Sequence, residues 1–144
     1  MLRFAALVSV VLPLILGYSP PEAYYAQVVR VHSGDEITLD NGQRIRYACI
    51  DAPDFAGDHC YAQDAAQANY YLVIGQGVRV QETRNGAHVY VGATWINREM
   101  VAGGYARVTA GPITPERKAL LRAEYQAAQG REGAWGICWR DELP

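Results

Sequence analysis

Alternating apolar and polar positions between residues 26 and 50 predict three short β-strands. Residues 26–32 and 36–39 are rich in β-branched and other apolar side chains, and the turn sequence Ser33-Gly34-Asp35 separates them. Asn41-Gly42 follows the second run, and Asn-Gly between two alternating segments is a strong hairpin signal. Residues 43–50 therefore predict the return strand of a hairpin.

Side chains of this third predicted strand should alternate between its two faces. The alternation places Ile45, Tyr47 and Cys49 on one face. The opposite face would carry Arg44, Arg46, Ala48 and Ile50. We therefore expect Cys49 to be buried in mid-strand and Arg46 to point away from the Tyr47 side.

The rest of the chain predicts two more strands and three helices. Residues 63–74 repeat their apolar positions at helical spacing, and 78–81 and 87–91 are strand-like segments joined around Asn85-Gly86. A short helix is expected over 97–102. A longer one should run from Pro115 to Gln129, with Thr114 as its N-cap. Five short strands with about three helices indicate an α+β fold, a closed five-stranded Greek-key barrel of the OB type.

The N-terminal residues have a different pattern. Arg3 precedes an apolar run over residues 4–16, which has the length of a signal-peptide core and is short of the roughly 20 residues that span a bilayer. Residues 1–23 are thus predicted to be a signal peptide or an N-terminal membrane anchor, and 24–144 the folded domain. The protein is expected to be secreted or periplasmic, or attached to a membrane through this segment.

Length and charge restrict the function classes. The chain has 144 residues, enough for one domain, and 50% apolar with 19% charged residues can form a core. Thirteen basic and fifteen acidic residues give a net charge of −2, so no overall positive field would attract a polyanion. Any phosphate chemistry must depend on local arginines. No feature of the sequence indicates a protein partner.

Three cysteines, Cys49, Cys60 and Cys138, allow three different single disulfides. We favour Cys60 with Cys138, because Cys60 lies in a predicted loop and Cys138 near the C-terminus. Such a bridge would stabilise the fold by roughly 4 kcal/mol in the chain-entropy picture. Three reduced thiols are the alternative.

Candidate chemistry lies in three short segments, each of which would be an ordinary turn or loop if taken alone. Together, their order and spacing resemble the staphylococcal nuclease family over roughly residues 26–137. The three segments are Ser33-Gly34-Asp35, Arg46-Tyr47-Ala48-Cys49-Ile50-Asp51-Ala52-Pro53-Asp54 and Arg84-x-x-Ala87-x-Val89-Tyr90, and Gly133-Ala134-Trp135-Gly136 near the C-terminus is a further match. The spacing of five between Arg46 and Asp51 is the most specific element.

The resemblance implies an OB-fold nuclease that cleaves phosphodiester bonds in DNA and RNA with bound Ca²⁺. Arg46 and Arg84 match the two catalytic arginines, which would bind the scissile phosphate and stabilise the charge that develops on it. Asp35 and Asp51 match the carboxylate ligands of Ca²⁺, and the backbone carbonyl of Ala52 matches a third ligand.

Two departures from the family favour weak activity, or a binding or structural module without catalysis. Asp54 stands where the family has a Glu that orients or deprotonates the attacking water, so the carboxylate reaches less far. We expect Asp54→Glu to raise turnover, unless the loop has re-formed around the shorter side chain. Residues 109–112 also lack the tyrosines with which the family flanks the nucleotide.

Overall fold

The computed structural model of the protein describes residues 22–57 and 60–142. The predicted signal peptide or anchor, residues 1–23, therefore lies almost entirely outside the described residues. Within the described ranges, no helix is both long and apolar enough to cross a membrane.

Eight strands and three helices make up the described chain, and they confirm the α+β class. The strands are β1 (Ala23–Ser33), β2 (Glu36–Leu39), β3 (Arg44–Arg46), β4 (Ile50–Asp51), β5 (Gly77–Thr83), β6 (Gly86–Val91), β7 (Thr94–Trp95) and β8 (Arg107–Val108). The helices are α1 (Ala62–Val73), α2 (Ile96–Ala102) and α3 (Pro115–Gln129), and a 3₁₀ turn spans Gly133–Gly136. All three predicted helices are present within one residue of their expected ends.

The strands pair antiparallel in two sheets. One sheet has six strands in the order β3-β2-β1-β5-β6-β7, and the other is the pair β4-β8. The Asn41-Gly42 hairpin is confirmed, because β2 pairs antiparallel with β3 and Gly42 has a φ of 83°. This mostly antiparallel sheet with three helices agrees with the predicted OB-type fold, and it differs from a closed five-stranded barrel in two respects. There are more strands, and the six-stranded sheet is not closed by continuous pairing between its edges.

The predicted third strand is broken in the structure, and this corrects the expected positions of its side chains. Regular pairing stops at Arg46, Tyr47 forms a single parallel bridge to Ala87, and Cys49 adopts a left-handed φ of 65°. Beyond this kink the chain pairs as β4 with β8. Strict alternation therefore fails, because Ala48 is buried beside Tyr47 and Cys49 is only half-buried.

The main core lies between the six-stranded sheet and the helices. Its fully buried side chains include Ile37 and Leu39 of β2, Met100 of α2 and Leu120 of α3. The N-terminus of α3 is built as the sequence predicts, with Thr114 Oγ1 accepting a hydrogen bond of 3.1 Å from the Arg117 N–H.

A second, smaller apolar cluster forms at the C-terminus. Trp135 and Trp139 pack edge to face there, and the Arg107 guanidinium lies over both rings. A disulfide joins Cys60 to Cys138 with a Cα–Cα distance of 6.1 Å, which connects this cluster to the loop before α1. Cys49 is the free cysteine.

Candidate active site

The two predicted catalytic arginines lie on facing segments. Arg46 ends β3, and Arg84 lies in the turn between β5 and β6. Both side chains are exposed, and neither forms an ion pair with another described residue. Their guanidinium groups are therefore available to an anion.

Gly86 lets these two segments approach closely. It has a φ of 125°, and a Cβ atom at this position would lie 2.7 Å from the Arg46 carbonyl oxygen. Only glycine fits such a backbone contact without displacing one of the chains. The Arg84 turn therefore packs directly against the backbone of Arg46.

Asn97 joins the Arg46 and Arg84 segments from the interior, and we call this junction the Asn97 seam. This fully buried side chain donates hydrogen bonds to the carbonyl oxygens of Ala48 (3.1 Å) and Ala87 (3.0 Å), and its Oδ1 accepts one from Val89 N–H (3.0 Å). The Ala48 N–H also donates to the Ala87 carbonyl at 2.8 Å. The sequence placed Asn97 only at the start of a predicted helix and gave it no role, because its partners are up to 49 residues away.

A cleft of about 550 Å³ lies over this seam. Arg46, Arg84 and Asp51 line it. One wall is the segment 109–112, which has no aromatic residue. Arg117 holds this wall in place by donating from Nε to the Thr109 carbonyl (2.9 Å) and from Nη1 to the Gly111 carbonyl (2.7 Å). The Arg117 guanidinium thus fixes the backbone of this wall, but the wall has no aromatic ring on which a base could stack.

Asp35 is the buried carboxylate of the site, with 1% of its surface exposed. Its Oδ1 accepts a hydrogen bond of 2.7 Å from Ser33 Oγ, and its Oδ2 accepts one of 3.3 Å from the Ala52 N–H. Burial raises the pKa of Asp35, and the negative charge of Asp51 adds to this; the two hydrogen bonds and Arg46 oppose it. Asp35 is thus linked to both Ala52 and the charged residues of the cleft.

A second buried amide fixes the segment before Asp35. Asn69 donates to the Ser33 carbonyl at 2.8 Å, and its Oδ1 accepts a hydrogen bond of 2.8 Å from the Tyr47 hydroxyl. Gly34 is packed so tightly that a Cβ atom there would lie 2.7 Å from the Ala52 Cβ. These contacts set the position of the Asp35 backbone.

Asp54 lies apart from the cleft lining, in the loop between β4 and α1. Its Oδ1 accepts hydrogen bonds from the backbone N–H groups of Ala56 (2.9 Å) and Gly57 (2.8 Å). An aspartate that binds its own backbone in this way stabilises a turn. The loop is therefore built around the shorter side chain.

The donor chemistry of Asp35, Asp51 and Ala52 fits a hard cation in part. Two carboxylates and a backbone carbonyl are oxygen ligands of the kind that Ca²⁺ prefers, and a cation would offset the cost of burying the Asp35 charge. In the described part of the chain, however, no group of three or more His, Cys, Asp or Glu side chains is placed to hold a metal. Backbone oxygens and water would have to complete the shell.

In comparison with known families, residues 44–136 match the family described as staphylococcal nuclease homologue. A search of curated proteins found no match. The matched range includes Arg46, Asp51, Ala52, Asp54 and Arg84 and leaves out Asp35. Because it covers well over half of the 144 residues, the chain belongs to the staphylococcal nuclease homologue family.

Proposed function

We propose that this protein is a Ca²⁺-dependent endonuclease that hydrolyses phosphodiester bonds in DNA or RNA. The observation that carries the proposal is the cleft that Arg46, Arg84 and Asp51 line, with both guanidinium groups free of ion-pair partners in the described chain. Membership of the nuclease family supports the reaction class.

The arginines would carry most of the transition-state stabilisation. A planar guanidinium donates two parallel hydrogen bonds to phosphate oxygens, and the bond strengthens as negative charge develops on those oxygens. Asp35, Asp51 and the Ala52 carbonyl would hold Ca²⁺, which when bound polarises the phosphoryl group. Asp54 would orient or deprotonate the attacking water through Oδ2, since Oδ1 is occupied by the loop.

Activity should be modest. The Asp54 carboxylate is shorter than the family's Glu and partly used by its own loop, and misplacement by about 1 Å can cost on the order of 10²-fold in rate. The cleft wall at 109–112 also has no aromatic side chain for a base. The first feature should reduce turnover and the second should reduce affinity, while the contribution of Arg46 and Arg84 is kept.

A second candidate is a nucleic-acid-binding or structural module that has lost catalysis. The hydrogen bonds from Ala56 and Gly57 to Asp54 favour it, because they give this carboxylate a structural role that does not depend on a reaction. Such a module would bind a polynucleotide at the arginine cleft and leave it intact.

Cleavage assays on the purified chain separate the two candidates. Supercoiled plasmid DNA and a single-stranded RNA are each incubated with the protein in Ca²⁺ and, in parallel, in EDTA. We expect cleavage in Ca²⁺ that EDTA abolishes. Binding to either polymer without cleavage would favour the module, and cleavage that persists in EDTA would contradict the Ca²⁺ requirement.

The protein is further proposed to be exported, as a secreted or periplasmic enzyme or one attached to a membrane by its N-terminal segment. The apolar run over 4–16 supports export, and the Cys60–Cys138 disulfide supports an oxidising compartment. Cell fractionation followed by mass spectrometry of the N-terminus tests this. A full-length chain in the cytosolic fraction would contradict it.

A further inference from the structure

Strand β3 presents two arginines on the same exposed face. Its sequence is Arg44-Ile45-Arg46, and the buried Ile45 between them faces the core. The neighbouring strand β2 places Glu36 directly opposite Arg46 in the backbone register. One carboxylate therefore lies within reach of two guanidinium groups.

The carboxylate pairs with the more distant of the two arginines. Glu36 forms an ion pair with Arg44, which is diagonal to it, while Arg44 itself lies opposite Thr38. Directly opposed side chains on neighbouring strands have Cβ atoms about 4.5–5.5 Å apart, and diagonal ones about 7–8 Å. Without Arg44, the cation directly opposite Glu36 in the register of β2 and β3 would be Arg46.

We propose that Arg44 is a positioning residue: it occupies the Glu36 carboxylate and thereby leaves the Arg46 guanidinium unpaired for phosphate. This inference rests on the proposed nuclease function for its consequence in catalysis. Arg44 need not touch the substrate, and Glu36 is a built-in competitor of the substrate for Arg46. The Glu36 side chain keeps only 19% exposure, against 60% for Arg44, so solvent weakens its charge less than that of a fully exposed carboxylate.

The surroundings of Arg44 supply a matched control. Arg44, Arg46 and Glu82 line a groove of about 190 Å³, which shares Arg46 and Thr83 with the main cleft. Glu82 accepts hydrogen bonds from Gln43 (2.7 Å) and Tyr24 (3.1 Å) and forms no ion pair with another described residue. Glu82→Gln removes one negative charge from the groove, and Glu36→Gln removes one from the neighbouring strand, where it pairs with Arg44.

The test is a set of variants in steady-state cleavage of an oligonucleotide at saturating Ca²⁺. We expect Arg44→Ala to lower kcat about two- to fivefold, the range set by a cross-strand ion pair, and Arg44→Lys to stay near the parent. Adding Glu36→Gln to Arg44→Ala should restore kcat, whereas adding Glu82→Gln should not. Thermal unfolding of each variant confirms that the fold is kept.

Other outcomes overturn the inference. Rescue by both Glu36→Gln and Glu82→Gln would mean that only the charge of the groove matters. Rescue by neither would mean that Arg44 contacts the substrate strand itself.

A crystal structure of Arg44→Ala provides a readout that does not depend on activity. We expect the Glu36 carboxylate to move to ion-pair distance from Arg46, and a Glu36 that stays away from Arg46 overturns the inference. If the parent protein cleaves nothing, the proposed function fails, and this structure alone decides whether Arg44 controls the pairing of Arg46.

Discussion

The two halves of the candidate site are built in opposite ways. In the arginine half, Arg46 and Arg84 are exposed and free of ion-pair partners in the described chain, and the backbone does the positioning through Gly86 and Asn97. In the carboxylate half, the Asp35 and Asp54 side chains themselves form hydrogen bonds that stabilise the local structure. Asp35 bonds Ser33 and Ala52, and Asp54 bonds its own loop.

This difference separates function from stability. A side chain with no partner in the fold can be removed at little cost to the free energy of unfolding, while a buried or turn-forming carboxylate carries both roles. Substitutions of Arg46 or Arg84 should therefore change rate alone. Asp35 and Asp54 also take part in the fold, so substitutions there can change stability as well as rate, in a direction that depends on the hydrogen bonds and charges they keep.

The largest expected effect comes from removing an arginine. Arg46→Ala and Arg84→Ala should each lower the cleavage rate by about 10²- to 10³-fold, because each removes a charged donor to the transition state. The free energy of unfolding should change by less than about 0.5 kcal/mol, as at other exposed positions. Cleavage kinetics and urea denaturation measure the two quantities.

Arg98→Ala is the matched control for charge, because Arg98 is an exposed arginine on α2 that does not line the cleft. It should cleave at the parental rate. Parental activity in Arg46→Ala or Arg84→Ala would show that these side chains have no part in the reaction.

A smaller effect is expected at Asp54, where the two roles can be separated. Asp54→Asn keeps an oxygen for the Ala56 and Gly57 N–H groups but loses the charge, so stability should hold while turnover falls at least about tenfold. Asp54→Glu keeps the charge, but its longer side chain moves the carboxylate away from the Ala56 and Gly57 N–H groups. Because the loop is built around Asp, we expect Asp54→Glu to lower both the turnover and the midpoint of thermal unfolding.

Either half of this prediction can fail. A Glu variant that is faster than the parent would show that reach limits the enzyme, as the family pattern suggests. An Asn variant with parental turnover would leave Asp54 a structural role only and favour the binding module.

At Asp35 we expect opposite effects on metal binding and on stability. Asp35→Asn should weaken Ca²⁺ binding at least about tenfold in calorimetry, because it removes an anionic ligand. In EDTA it should raise the midpoint of thermal unfolding slightly. Burial raises the pKa of Asp35, so the charged form opposes folding at neutral pH, and a neutral amide avoids that cost. An unchanged dissociation constant would rule out Asp35 as a ligand.

The sequence alone predicted local features well and long-range ones poorly. The start of α3 at Thr114-Pro115 and the turn at Asn41-Gly42 are local signals, and both are present. The kink at Cys49 was not predictable, because alternation continues through it in the sequence. The kink depends on two pairings between residues that are distant in the chain. Tyr47 pairs with Ala87, and β4 pairs with β8.

The candidate site shows the same division. The family resemblance selected Arg46, Arg84 and Asp51, which the structure places around one cleft. The resemblance could not show how these residues are brought together, because Asn97 bonds Ala87, which is 10 positions away in the chain, and Ala48, which is 49 positions away. The turn at Asp54 was within reach of sequence reasoning, since Asp commonly bonds the N–H groups two and three residues later.

The smallest effect concerns the interior of the arginine half. His88 is buried and lines the cleft, its ring packs edge to face on Trp95, and its Nδ1 lies 3.4 Å from the Asn97 amide nitrogen. Burial lowers the pKa of His88 below its ordinary value of 6.5, and the smaller effect of the Glu116 charge opposes this. The unfolded chain then binds a proton near pH 6.5 that the folded chain does not, so stability should fall as the pH falls below 6.5.

The slope from this one group cannot exceed about 1.4 kcal/mol per pH unit. His88→Gln, which is neutral at every pH, should remove it, so that the parent and the variant diverge in urea denaturation between pH 7 and 5 and run parallel above pH 7. The carboxylates titrate in both proteins and cancel in the difference. Curves that stay parallel down to pH 5 would mean that His88 is protonated as easily in the fold as in the open chain, and that the Asn97 seam does not need it neutral.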